Sequence, residues 1–157
     1  MRCVAIALVL LLAACSTPTA GDRKQLVLKH SIAATLQVFS SREGGTRRAG
    51  SAVVLFQDAT QSKTLILTTA HLLEPQVEQS IYILDSETQN SVPVDLIAID
   101  GDADLALLSA PIAIGEPVGL AAGGGLADEV LVVAFPWGGA RTIVNGAVSQ
   151  LAANNRA

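Results

Sequence analysis

The feature that most constrains the fold is a series of short aliphatic segments bounded by turn-forming residues. Residues 32–38 have an apolar side chain at every second position, which is the pattern of a strand with one buried face. Five more segments rich in Val, Ile, Leu or Thr follow: residues 51–56, 64–69, 80–85, 92–99 and 105–108. Only 3% of the residues are aromatic, so an aliphatic core is expected. Six short strands with almost no helical periodicity predict an all-β fold, a small antiparallel barrel or sandwich.

A looser stretch separates these segments from a second, shorter set of strands. Residues 111–127 are rich in glycine and are interpreted as a crossing between two units. Two more strands are predicted after the crossing: residues 129–135 and 141–150. The sequence therefore predicts a complete first unit at residues 25–110 and only the start of a second unit at residues 128–157.

The N-terminus has the features of an export signal. An apolar run at residues 4–14 is too short to cross a hydrocarbon core of about 30 Å as a helix, but it is typical of a signal peptide. The run ends in L-A-A-C, which resembles the bacterial lipobox, whose cysteine accepts a diacylglycerol. We expect residues 1–14 to be a lipoprotein signal peptide, Cys15 to carry the lipid and residues 15–24 to be a tether. An ordinary signal peptide with a chance cysteine is the alternative.

Cysteine usage and charge exclude several classes of function. The two cysteines, Cys3 and Cys15, both lie in the export segment, so the mature domain is expected to have no disulfide and no cysteine-based metal site. The net charge is −4, and the basic pair Arg47–Arg48 is interpreted as a solvated loop, which argues against nucleic acid as a partner. The predicted location is the bacterial envelope, in the outer membrane facing the periplasm, with the lipid on Cys15 as the membrane anchor.

One histidine and one aspartate lie where strands meet turns. His71 directly follows the third predicted strand, and an imidazole can act as a base near neutral pH. Asp104 immediately precedes the sixth, and a carboxylate beside an imidazole selects one tautomer and stabilises the imidazolium. Asp100 and Asp102 are rivals of Asp104, but neither directly precedes a strand. His30 is interpreted as a surface histidine.

Four blocks of sequence, in a fixed order, resemble the trypsin-like serine proteases. The first joins G-S-A-V-V at residues 50–54 to I-L-T-T-A-H at residues 66–71, and the second is D-L-A-L-L at residues 104–108. The third, residues 127–138, resembles the strand and turn that open the second barrel. The fourth, T-I-V-N-G-A-V-S at residues 142–149, resembles a strand of the bacterial periplasmic branch. The order and spacing of the blocks make the resemblance specific.

The resemblance implies a trypsin-like double β-barrel whose first barrel is complete and whose second is partial. It implies His71 as the general base and Asp104 as the residue that orients it. The family's nucleophile lies in a G-x-S-G-G segment, and no serine of the 157 residues has this setting. Ser51 lies upstream of the histidine and Ser149 lies in a predicted strand. We therefore expect the nucleophile to lie beyond the 157 residues.

Other chemistries fit less well, and no cofactor or metal is expected. A metal site at His71 and Glu74 would need a second ligand where Pro75 stands. The glycine run at residues 123–125 lacks the Lys-Ser/Thr pair of a phosphate loop. Trp137 is a candidate binding platform, but packing of its ring on its own barrel is the preferred interpretation.

Two hypotheses about function follow. In the first, the chain is part of a lipid-anchored serine endopeptidase that acts on protein or peptide substrates. In the second, it is a catalytically inactive lipoprotein that binds peptides or serves as a scaffold.

Overall fold

The computed structural model describes residues 19–42, 44–45, 47–58, 60–73, 78–85 and 89–151. The predicted signal peptide, the predicted lipidation site Cys15 and the first part of the predicted tether lie outside these residues. The division of the chain into domains therefore stays a prediction. Within the described part, no helix is long and apolar enough to cross a bilayer.

A helix that the sequence analysis did not predict precedes the first strand. Helix α1 (Ala20–Ala34) begins with a capping box in which the Thr19 hydroxyl and the Asp22 carboxylate each accept a backbone N–H bond from the other residue. This satisfies N–H groups that a helix start leaves without partners. The strand predicted from residue 32 is wrong for residues 32–34, which form the last turn of α1. These three residues are all apolar, so their pattern does not distinguish a strand from a helical turn. Residues 20–24 of the predicted tether are helical.

Seven strands form one curled antiparallel sheet. They are β1 (Thr35–Ser41), β2 (Arg48–Asp58), β3 (Lys63–Thr69), β4 (Ser80–Leu84), β5 (Ser91–Pro93), β6 (Asp95–Asp100) and β7 (Leu105–Ala110). Their order across the sheet is β5-β4-β1-β2-β3-β7-β6. Only Val94 separates β5 from β6, so the two strands at the opposite edges of this sheet are consecutive in the chain. The six predicted strands are all present, and the fifth is divided in two at Val94.

Alternate residues of these strands fill the interior of the curled sheet. This period of two is the pattern expected of strands with one buried face. The central cluster includes Leu36, Val38, Ala52, Val54, Ile66, Ile83, Ala106 and Leu108. No aromatic residue belongs to this cluster in the described part of the chain, which confirms the prediction of an aliphatic core.

Strand register gathers three chain segments at one end of this sheet. In the β2–β3 pair Val53 lies opposite Leu67, so the start of β2 is beside the end of β3. In the β3–β7 pair Thr69 lies opposite Leu105, so the residues that follow β3 meet those that precede β7. The two predicted site residues follow β3 and precede β7, respectively.

A two-stranded antiparallel sheet of β8 (Glu129–Ala134) and β9 (Thr142–Ala147) forms the second unit. The crossing that leads to it is held against the first sheet, because the Val118 N–H donates to the Val54 carbonyl at 3.0 Å. The protein is thus mostly β, with a curled seven-stranded sheet and a small second sheet. This confirms the predicted fold class, a partial trypsin-like double barrel.

The turn after β8 packs on the outer face of β1 and β2. The Gln37 side-chain amide donates to the carbonyls of Gly138 and Gly139. The Ser51 hydroxyl accepts a bond from the Phe135 N–H at 2.8 Å. These contacts hold the turn between β8 and β9 beside the end of the first sheet where the predicted site residues lie.

Candidate active site

His71 lies in a single 3-10 turn, Ala70–Leu72, that directly follows β3. The turn is packed closely against β2, because a Cβ at Gly50 would lie only 2.9 Å from the Leu72 side chain. Glycine at this position therefore lets the turn approach the strand. The imidazole itself is 72% exposed, so the turn presents it at the surface instead of burying it.

Asp104 holds the His71 turn at three points. One carboxylate oxygen lies 2.7 Å from the imidazole Nδ1, and the other accepts the His71 backbone N–H at 2.8 Å. The Asp104 carbonyl accepts the Ala70 N–H at 3.1 Å. Asp104 adopts a left-handed backbone conformation with φ of 54°, an uncommon one for a residue with a side chain. The structure therefore brings together the two residues that the sequence predicted as a pair.

The electrostatics of the pair keep the carboxylate ionised. The pKa of Asp104 is lowered from its ordinary value of 3.8, first by the hydrogen bond from the His71 side chain and then by that from the His71 backbone. An ionised carboxylate accepts a proton-bearing Nδ1, which leaves Nε2 of the neutral imidazole with its lone pair. The arrangement can therefore accept a proton at Nε2 and stabilise the resulting imidazolium.

The two rival aspartates have a different role. Asp100 accepts the backbone N–H groups of Asp102 and Ala103, both at 3.0 Å, and so shapes the turn between β6 and β7. Among the described residues, His71 forms no hydrogen bond or ion pair with Asp100 or Asp102. The choice of Asp104 over its neighbours agrees with this geometry.

The two serines considered in the sequence analysis do not join this pair. The Ser51 hydroxyl accepts the Phe135 N–H, so it connects the two sheets. Ser149 lies beyond β9, which ends at Ala147, and not within a strand as predicted. The strand prediction for residues 141–150 was too long at its C-terminal end.

Comparison with known proteins agrees with this architecture. Residues 50–157 match the family described as the trypsin-like peptidase domain, which is more than half of the chain. The chain belongs to the trypsin-like peptidase family. No curated protein matches its sequence.

Solved structures of bacterial proteases share the fold of this trypsin-like chain. The active form of the Rv3671c protease from M. tuberculosis superimposes with a TM-score of 0.66 at 16% identity, over 84% of this chain and 55% of that one. The serine endoprotease from Yersinia pestis gives a TM-score of 0.62 at 22% identity, over 85% of this chain and 46% of that one. The trypsin-like chain thus spans about half the length of these structures.

One contact of the trypsin-like site was not predicted from sequence. The Arg48 guanidinium donates to the His71 carbonyl at 2.9 Å, which ties the start of β2 to the turn that carries the imidazole. The prediction of a solvated loop at Arg47–Arg48 is therefore wrong for Arg48, which begins β2. The signal that could have identified Arg48 is its place two residues before Gly50, in the strand that lies beside the histidine turn.

The remaining sequence candidates have separate outcomes. Trp137 is 94% exposed with φ of 50°, so the expectation that its ring packs on its own barrel is wrong. His30 is exposed as predicted, and its Nδ1 lies 3.0 Å from a Glu116 carboxylate oxygen. The Asp128 carboxylate accepts the Gly125 N–H at 2.7 Å, so an acidic side chain of the same protein already binds an N–H group of the glycine run.

The metal alternative gains no support from the described residues. They contain no group of three metal-ligating side chains, and Glu74 lies outside them.

Proposed function

We propose that this protein is a serine endopeptidase of the bacterial envelope in which His71 is the general base and Asp104 orients it. The observation that carries the proposal is the double contact of the Asp104 carboxylate with the Nδ1 atom and the backbone N–H of His71. A carboxylate held in this way fixes both the tautomer and the position of the ring. An imidazole placed at random on a surface has neither constraint.

The proposed chemistry is acyl transfer. Nε2 of His71 takes the proton of a serine hydroxyl while the serine oxygen forms a bond to the peptide carbonyl carbon. His71 then returns that proton to the amine that leaves as the peptide C–N bond breaks. Asp104 stays ionised throughout, which its lowered pKa favours. The nucleophile is assigned to a part of the protein outside residues 1–157, because no serine of the sequence lies in a G-x-S-G-G segment.

The proposed location rests on the N-terminal sequence. L-A-A-C at residues 12–15 places a cysteine after an apolar run, and lipidation of Cys15 would anchor the domain to a membrane. A serine directly after that cysteine favours the outer membrane. The substrate would then be a protein or peptide of the periplasm.

Active-site labelling tests the proposed activity. Two proteins are compared with a fluorophosphonate probe: residues 1–157 alone, and the product that includes the sequence encoded directly downstream. We expect labelling of the longer product only, and its loss in His71→Ala. Unlabelled longer product that is folded by circular dichroism would contradict the assignment.

A second candidate function is peptide binding without catalysis. It applies if the protein has no nucleophile for His71, since the Ser51 hydroxyl accepts the Phe135 N–H and no serine hydroxyl of the described residues is hydrogen-bonded to His71. If the downstream sequence encodes no G-x-S-G-G segment and the folded protein still binds peptides, this candidate replaces the first.

A further inference from the structure

The β1–β2 hairpin concentrates positive charge beside the candidate active site. Residues 42–48 contain three of the ten basic residues and only one of the fourteen acidic residues of a chain whose net charge is −4. Arg48 contacts the His71 carbonyl, and the adjacent Arg47 is exposed. The hairpin therefore places cationic side chains within reach of any peptide that approaches His71.

Arg47 is held in a geometry suited to binding an anion. Its guanidinium carbon lies 3.8 Å from the centre of the Phe39 ring, so the planar group stacks on the aromatic face. Stacking uses the face of the guanidinium and leaves its N–H donors at the edge available for a carboxylate. Among the described residues, no acidic side chain forms an ion pair with Arg47.

A cleft of about 400 Å³ adjoins this pair. It is lined by Phe39, Ser41, Arg47, Tyr82 and Ser91, a set with two aromatic rings, three hydroxyls and one cation. The cleft shares its face of the sheet with the turn after β8, because a Cβ at Gly138 would lie 3.5 Å from the Phe39 ring. The Phe39 ring of the cleft therefore lies close to the turn after β8, and the lining residue Arg47 directly precedes Arg48, whose guanidinium contacts the His71 carbonyl.

We propose that this Arg47 cleft binds an acidic side chain of the peptide substrate, a proposal that rests on the proposed function. Arg47 supplies charge-assisted hydrogen bonds to the carboxylate, the hydroxyls of Ser41 and Ser91 supply neutral donors, and the two rings contact the methylene groups. The protein would then prefer Glu or Asp at one position of the segment that it binds.

Calorimetric titration of purified protein with paired peptides tests the cleft. The peptides are octamers that differ only by Glu or Gln, with the exchanged position moved along the chain. At one position we expect the Glu form to bind about fivefold more tightly, the effect of one exposed ion pair, with a decrease in high salt. Arg47→Gln should remove the preference, and Arg47→Lys should keep only part of it because an ammonium cannot stack.

Lys63→Gln is the matched control, since it removes one positive charge at the start of β3, the end of that strand away from His71. It should keep the full preference. Equal binding of Glu and Gln peptides, or a preference retained by Arg47→Gln, would overturn the proposal. If inorganic polyphosphate displaced the Glu peptide as well as a second Glu peptide does, this would also overturn the proposal. The cleft would then be a general anion site that does not recognise a peptide.

The two proposals fail in different experiments. Fluorophosphonate labelling without a Glu preference rejects the cleft and leaves the peptidase assignment intact. A Glu preference without labelling in the longer product supports the cleft on a protein that binds peptides without cleaving them.

Discussion

Substitution of Gly138 tests whether the turn after β8 packs closely against β2. Gly138 has φ of 68° and lies against β2, where an added Cβ would overlap the Cβ of Ala49 and approach its Cα to 3.4 Å. Gly44 in the β1–β2 hairpin has the same φ of 68°, but no atom lies within 4 Å of its added Cβ. The two positions share the same φ, but only Gly138 has a close neighbour at the place of an added Cβ.

The expected losses of stability follow from two effects, backbone strain at a positive φ and overlap with a neighbouring side chain. A side chain in the left-handed region costs about 1–2 kcal/mol at either position. Overlap with a packed neighbour adds about 1–3 kcal/mol. Gly44→Ala should therefore lower the free energy of unfolding by about 1–2 kcal/mol, and Gly138→Ala by about 2–5 kcal/mol.

Urea unfolding followed by far-ultraviolet circular dichroism measures both values. Ala49→Gly removes the overlapping Cβ, so in the Gly138→Ala background it should recover most of the difference between the two alanine variants. Equal destabilisation at Gly44 and Gly138, or no recovery with Ala49→Gly, would show that the turn does not rest on β2 as described.

Three further predictions concern the site and the anchor. The hydrogen bonds from His71 hold the pKa of Asp104 below 3.8 in the folded state. The contribution of Asp104 to the free energy of unfolding is therefore fully present above pH 3.8 and is lost as the pH falls through the lower pKa of the folded state. Asp104→Asn should therefore show a smaller fall in melting temperature on acidification than the wild type, and an identical fall would contradict the contact. Ser51→Ala leaves the Phe135 N–H without its acceptor and should cost about 1–3 kcal/mol in urea unfolding, whereas unchanged stability would mean that the bond is replaced by water. Intact-mass analysis of the membrane fraction should show a diacylglyceryl addition at Cys15 that Cys15→Ala abolishes, and a soluble wild-type product cleaved elsewhere would refute the lipobox.

The strands were predictable because their signal is local. Alternation of apolar and polar residues over five to eight positions specifies which face of a strand is buried, whatever its partners. The same local signal marked His71 at the end of β3 and Asp104 at the start of β7. The family blocks placed these residues in the right order along the chain, and the structure supplies the 2.7 Å distance between them.

Other features depend on residues far apart in sequence, and no local pattern contains them. Arg48 reaches the His71 carbonyl across 23 positions, and Ser51 reaches Phe135 across 84. Both contacts exist because antiparallel pairing brings the start of β2 beside the end of β3 and lets the turn after β8 rest on the outer face of β2. Composition and periodicity thus determined the aliphatic β core of this chain, whereas tertiary packing alone decided what its polar side chains touch, since hydrogen bonds are short and directional and need both partners in place.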